Sequence, residues 1–313
     1  MTFTEYAAER GHLLRVVPIS RIEDLRREQA KLTETNQLND FQKKLMSGRS
    51  LALPELPFVP KSIIIAVTEH YSYANVTFNH KGRQYNLYSA FVDMYDTSTI
   101  DAFGAEALPK FNASAVPAHG LFPEKLLGVM CGLAEYGRNN ITYINTETHA
   151  LGSYFGYSTY YSDLPPESDF WRGGGAVAKQ CETCGACASL CKTGAISREQ
   201  FLIDTDKCYS RMTTAPGDFV DVPSAAHHSI IRCMKCQYRC PMNREASQRK
   251  YRDVEFSEAE TDFILRGESY ENAPESLRER AVKFGLDLFS EYAARNIKKC
   301  FELIDSGETL TLY

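Results

Sequence analysis

The sequence predicts an α+β chain in three segments: α/β-type layers over 1–165, a small cysteine-bound domain over 166–250 and a helical end over 251–313. Three observations carry that prediction. Helical and strand patterns alternate in the first half, eight of the ten cysteines crowd between Cys181 and Cys240, and capped amphipathic stretches fill the end.

Taking the elements in order, Ser20 and Glu23 have capping-box spacing and predict a charged helix running to about Met46. Prolines 54, 57 and 60 make the stretch from Leu51 to Lys61 a connector. From Ser62, SIIIAVTE is a short apolar run rich in β-branched residues, the sign of a buried strand. NVTFNHKGRQYNLYSAF predicts a hairpin turning at Lys81-Gly82. A helix opens at Pro123, presents Leu126, Leu127, Met130 and Leu133 on one face, and ends near Gly137. Within it Gly128 and Gly132 leave a bare backbone strip, which serves either close packing or the approach of a flat ligand. Short strands are expected in GRNNITYI and GSYFGYSTYYSDLPP. Near the end, Ser257 and Glu260 form a capping box, Pro274 opens a second helix ending near Gly285, and Leu286 to Ile304 supplies a third.

With 43% hydrophobic residues in 313, there is enough apolar material for a buried core. The net charge of −5 is interspersed, so no broad nucleic-acid or membrane footprint is expected. The N-terminus lacks a basic then apolar leader pattern, and no apolar run is long enough to span a bilayer. These features predict a cytoplasmic protein without a membrane partner.

The first four clustered cysteines, in CETCGACASLC, have C-x2-C-x2-C-x3-C spacing, and CMKCQYRCP adds C-x2-C-x3-C-P. Structural zinc sites use two-cysteine knuckles separated by a longer loop, whereas this spacing wraps three thiolates around a four-iron cubane and sends the fourth to a neighbouring cluster. Two [4Fe-4S] clusters are expected. By that exchange, Cys181, Cys184, Cys187 and Cys240 hold one, and Cys191, Cys208, Cys233 and Cys236 hold the other. Lys192 follows Cys191 where ferredoxins usually have proline. With eight cysteines in place, His227 and His228 are not needed as ligands and are expected to be exposed loop residues, while Cys131 and Cys300 are expected to be small buried residues.

The order GLAEYGRNNITYI, GSYFGYSTYYSDLP, C-x2-C-x2-C-x3-C, a lone cysteine and C-x2-C-x3-CP resembles the cobalamin-dependent iron-sulfur reductases, which include epoxyqueuosine reductase and the reductive dehalogenases. The resemblance runs from about Ser62 to Asn243 and implies a nitroreductase-like corrinoid-binding domain beside a ferredoxin-like two-cluster domain and a short helical tail. It implies that segments Gly132 to Asn140, Gly152 to Phe155 (with Ser153 and Tyr154) and Tyr209 to Thr213 (with Ser210) line a corrinoid. It also implies one-electron delivery through the clusters to cobalt, from a low-potential donor such as ferredoxin or flavodoxin.

Two departures shape the expected chemistry. Epoxyqueuosine reductases carry a catalytic aspartate where the alignment through Glu124-Lys125 puts Ala118, followed by His119. His119, Tyr71 and Tyr73 are therefore the candidate proton donors. The tail is short and mixed in charge, so a small-molecule substrate is expected and nucleic acid is not. The leading expectation is a corrinoid-dependent reductase. A non-catalytic electron carrier or activator of a corrinoid protein is the alternative, and epoxyqueuosine reduction ranks third.

Overall fold

The computed structural model describes residues 1–34, 38–167, 170–173 and 177–312. It divides into two compact units, one made of Met1–Glu69 and Tyr95–Thr183, the other of His70–Met94 and Cys184–Tyr313. The division departs from breaks at 165 and 250. The hairpin near residue 80 joins the C-terminal helices because its apolar side chains share a core with them, and the first break falls inside the cysteine quartet, between Thr183 and Cys184.

Unit 1 is built on a four-stranded antiparallel sheet in the order β1 (Leu13–Pro18), β2 (Ser62–Glu69), β9 (Phe155–Ser162), β5 (Ala115–Pro117). β2 is the central strand the sequence predicts. It is buried on both faces: Ile63, Ile65 and Val67 enter one apolar cluster while Ile64 and Ala66 enter another, as period-two alternation requires. The first cluster is closed by helix α5 (Glu124–Met130) and the second by α1 (Phe3–Ala8) and α4 (Ser98–Ala107). A small second sheet runs β6 (Glu135–Tyr136), β7 (Thr142–Asn145), β8 (Ala150–Gly152).

Two predicted helices differ in extent. The expected helix from Ser20 to Met46 is two: α2 (Ile22–Glu34) grows out of a tight turn at Ile19–Arg21, and α3 (Asp40–Ser47) opens on its own capping box, Asn39 with Gln42. The extended conformation of Asn39 breaks the periodicity there. The helix expected to reach Gly137 stops at Met130, because Gly132 turns left-handed at φ +75°. A helical stripe of leucines does not reveal where such a turn closes.

Unit 2 carries the predicted hairpin, β3 (Ala74–His80) and β4 (Arg83–Ser89), turning through Lys81 and Gly82, both at positive φ. β10 (Val254–Phe256) adds to β3 in parallel. Helices α9 (Glu258–Arg266), α10 (Glu275–Lys283) and α11 (Ser290–Asp305) cover this sheet, with Phe78, Phe256, Phe284, Ile297 and Phe301 in one core. The Ser257–Glu260 capping box forms as expected. Three short helices, α6 (Ala186–Leu190), α7 (Tyr209–Met212) and α8 (Lys235–Tyr238), lie in the cysteine-bearing loops.

The mixed helix and sheet class is as expected. Among the described residues no helix is long and apolar enough to cross a membrane.

Candidate functional site

The cysteine-bearing loops of unit 2 contain the second expected quartet. Cys208 caps α7, Cys233 lies two residues before α8, Cys236 lies within α8, and α6, which ends just before Cys191, packs against α8. Burial pushes the Cys233 thiol up to about 12, with the Cys208 and Cys191 thiols contributing in the same direction. The Cys233 thiol stays protonated without a cation and ionises when iron supplies positive charge, which is the behaviour of a thiolate ligand. Among the described residues no three His, Cys, Asp or Glu groups sit closely enough to hold a single metal ion. A cubane asks for a wider spread, because each thiolate binds a different iron. Of the other quartet, Cys184, Cys187 and Cys240 belong to unit 2 and Cys181 to unit 1, where its carbonyl accepts a hydrogen bond from Arg138 Nε at 3.4 Å.

The loop that carries Cys208 is fastened from the C-terminal helix, which sequence reasoning missed. Asn296 is fully buried and donates through Nδ2 to the Thr213 and Ile230 carbonyls, at 2.9 and 2.8 Å. Arg295 donates to the Met212 and Ala215 carbonyls, at 2.7 and 2.8 Å, and also to that of Gly217. One available signal was an asparagine set into the apolar stripe Ala293, Ile297, Cys300 of an amphipathic helix.

His227 and His228 are buried, not exposed. His227 Nδ1 is 2.9 Å from Tyr209 Oη and its ring packs on Phe219, while His228 Nδ1 is 2.8 Å from the Ala226 carbonyl. Burial holds both neutral, lowering them to about 4 and about 3. A histidine pair between ligand cysteines looks like a loop in sequence; only the aromatic wall of Tyr209 and Phe219 makes it core.

Unit 1 contains the other expected positions. Gly132 faces the Phe170 ring, where a Cβ would stand 2.4 Å from a ring carbon, and Gly128 faces Tyr157, where a Cβ would stand 2.6 Å from Oη. Both faces of the bare strip are thus filled by aromatic side chains, the packing alternative. Asn140 adopts φ +57° in the turn after Gly137, Gly152 adopts φ +57° and donates to Asn145 Oδ1 at 3.1 Å, and Ser153 and Tyr154 are buried behind it. In unit 2, Thr213 Oγ1 is occupied internally, donating to the Ser210 carbonyl at 2.9 Å and accepting from the Arg232 amide at 2.8 Å.

The candidate donors are divided between the units. His119 is exposed in unit 1, with its ring edge toward Tyr160 at 6.1 Å between centroids. Its neighbour Ala118 is buried, donating its amide to the Thr159 carbonyl at 2.8 Å and accepting from Thr159 Oγ1 at 3.2 Å. Tyr71 and Tyr73 belong to unit 2, Tyr71 against Tyr251 at 4.9 Å and Tyr73 against Tyr238 at 5.7 Å, two residues before Cys240.

Residues 180–243 match the 4Fe-4S double cluster binding domain family. Curated relatives include an epoxyqueuosine reductase from Leadbetterella byssophila, 30% identical over 122 residues, which are 38% of this chain and 37% of the relative. Another, from Aliivibrio fischeri, is 31% identical over 125 residues, 39% of this chain and 31% of the relative. The matches span about a third of these relatives' length. Among solved structures, an epoxyqueuosine reductase with an epoxyqueuosine-modified tRNA stem loop superposes with TM-score 0.59 at 17% identity, covering 96% of this chain and 80% of that one. A Bacillus subtilis epoxyqueuosine reductase, whose catalytic aspartate loop is swung out of the active site, gives 0.57 at 16% identity, covering 97% and 81%. The fold is shared at that level. One expectation is overturned: nucleic acid was not expected as a partner, yet the relatives in sequence are epoxyqueuosine reductases and a structural neighbour holds a tRNA stem loop. Tail length and mean charge were poor guides, because RNA can be held by local contacts on a chain of negative net charge.

Proposed function

We propose that this chain is an iron-sulfur oxidoreductase of the epoxyqueuosine reductase kind, acting on a modified nucleoside carried by RNA. The observation that carries the reading is the placement of Cys191, Cys208, Cys233 and Cys236 on short helices and loops of unit 2, with α6 packed on α8, within a stretch matching a double 4Fe-4S domain. The kinship of the relatives supports the substrate class. The eight cysteines from Cys181 to Cys240 are the cluster ligands in this reading.

A corrinoid is the electron acceptor that the family resemblance implies, and when bound it would supply low-valent cobalt chemistry. The turn residues Asn140 and Gly152 suit its edge, since positive-φ backbone brings peptide groups close to a flat ligand, and Ser153 and Tyr154 follow Gly152 in the same turn. Gly132 does not suit that role while Phe170 covers its face. Proton delivery falls to His119, because Ala118 offers no carboxylate and the imidazole beside it is exposed to solvent.

The test is reconstitution with iron, sulfide and cobalamin under reducing conditions, followed by incubation with an epoxyqueuosine-bearing tRNA stem loop. Conversion to queuosine, reduced at least tenfold in His119→Ala, is expected. Clusters present but no turnover of the stem loop would leave the electron-carrier reading in its place.

A further inference from the structure

Asn296 is fully buried on α11, and both of its polar atoms are engaged. Nδ2 donates to the Thr213 carbonyl at 2.9 Å and to the Ile230 carbonyl at 2.8 Å, 83 and 66 residues away in sequence. Oδ1 accepts from Arg295 Nε and Nη2 at 3.2 and 2.9 Å. The two carbonyls belong to the two segments that carry Cys208 and Cys233. Thr213 ends the single turn of α7 that Cys208 opens, its amide bonded to the Tyr209 carbonyl at 3.0 Å. Ile230 lies three residues before Cys233, and its amide is held by the Tyr88 carbonyl of β4 at 2.8 Å. A third tie joins the segments directly: Arg232, the residue before Cys233, donates its amide to Thr213 Oγ1 at 2.8 Å. Arg232 does so from left-handed backbone, φ +66°, a conformation that persists in a residue with a side chain only where the surroundings hold it.

We propose that Asn296 is a positioning residue for the cluster assigned above to Cys191, Cys208, Cys233 and Cys236: it fixes the Cys208 and Cys233 segments at one spacing, so that two of the four ligands are set before iron is bound. Thr213 Oγ1 completes the clamp through the Arg232 amide. A buried amide in an apolar stripe gains nothing unless its hydrogens find acceptors, and here both acceptors lie on ligand-bearing segments. Segments gathered only on binding lose their freedom at that moment, whereas segments already held lose less and keep the metal longer. Asn296 acts through the backbone of both segments, as groups behind a metal's ligands do when they orient them. The proposal rests on the cluster reading above and is independent of the substrate and of the corrinoid.

The experiment reconstitutes the full chain with iron and sulfide alone and follows the release of iron to an added chelator, for wild type, Asn296→Leu, Thr213→Val and Thr213→Ser. Iron and labile sulfide are counted on the same samples at the start. In Asn296→Leu and Thr213→Val, half of the iron is expected to leave about tenfold faster than in wild type, and the other half at the wild-type rate. Serine keeps the hydroxyl that receives the Arg232 amide, so Thr213→Ser should hold its iron as wild type does. Wild-type release from Asn296→Leu would overturn the proposal. So would faster release of all the iron together, which marks a general loosening of unit 2. A wild-type chain that takes up fewer than two clusters would remove the cluster reading and the proposal together; full loading with unaltered release in the variants would remove the proposal alone. Melting curves by circular dichroism identify a variant that fails to fold. Should Asn296→Leu be one, the Thr213 pair decides, and equal release from the valine and serine variants overturns the proposal.

Discussion

The two units each bury cysteine, and they do so to opposite ends. In unit 1, Cys131 lies in the core at the end of α5, its thiol near the Gly128 carbonyl at 3.5 Å, and burial pushes it up to about 11. In unit 2, Cys233 is pushed up to about 12, by burial first and then by two more thiols. Burial alone makes an inert thiol. What marks a ligand is the company of other thiols, and unit 2 builds that company from short helices and loops that Asn296 and Arg295 fasten to α11. Unit 1 spends its polar groups on a sheet and its glycines on aromatic packing.

The largest expected effect tests this contrast directly. Cys208→Ser or Cys233→Ser should cost about half of the bound iron, while Cys131→Ala and Cys300→Ala keep all of it, measured by iron and sulfide analysis after reconstitution. Equal losses from both groups would erase the distinction. Next in size is pH. An unfolded histidine takes up a proton near 6.5, but buried His227 resists until about 4, so acidification across that interval favours unfolding, by roughly 3 kcal/mol at most. The resistance of the unit 2 helices to chemical unfolding should fall as pH drops from about 6.5 to 4, and His227→Gln should reduce the slope. Trp171, the single tryptophan, belongs to unit 1 and should report a shallower dependence; parallel slopes would break the comparison.

Smaller effects sharpen it. In unit 1, Gly128→Ala should gain about 1 kcal/mol of helix propensity and lose about 1–3 to the collision with Tyr157. A net loss of about 1 kcal/mol in thermal unfolding is expected, relieved in part by Tyr157→Phe. A stabilised variant would show that the strip is open after all. In unit 2, Ser257→Ala removes the α9 cap and should cost about 1 kcal/mol without touching iron content.

Much of this molecule is readable from local chemistry. The hairpin at Lys81-Gly82 follows from a turn that only a few residues tolerate, the cap at Ser257 from a hydroxyl and a carboxylate three residues apart, and the β2 strand from its β-branched run. The cysteine spacing likewise predicts ligands, because a cubane imposes its own geometry on a short chain. Readings that depended on what a residue faces were less secure. The leucine pattern through Leu133 runs past the end of α5, the histidine pair reads as exposed yet is buried, and the glycine strip fits two roles until Tyr157 and Phe170 stand against it.

The sequence by itself determined the ligand spacing, the caps and turns, and the alternation that sorts β2 between two cores, since each depends on residues a few positions apart. Tertiary structure decided which loop Asn296 holds and which histidines lose their water. Burial and a long-range hydrogen bond are properties of two distant segments at once, so no short stretch of chain can announce them.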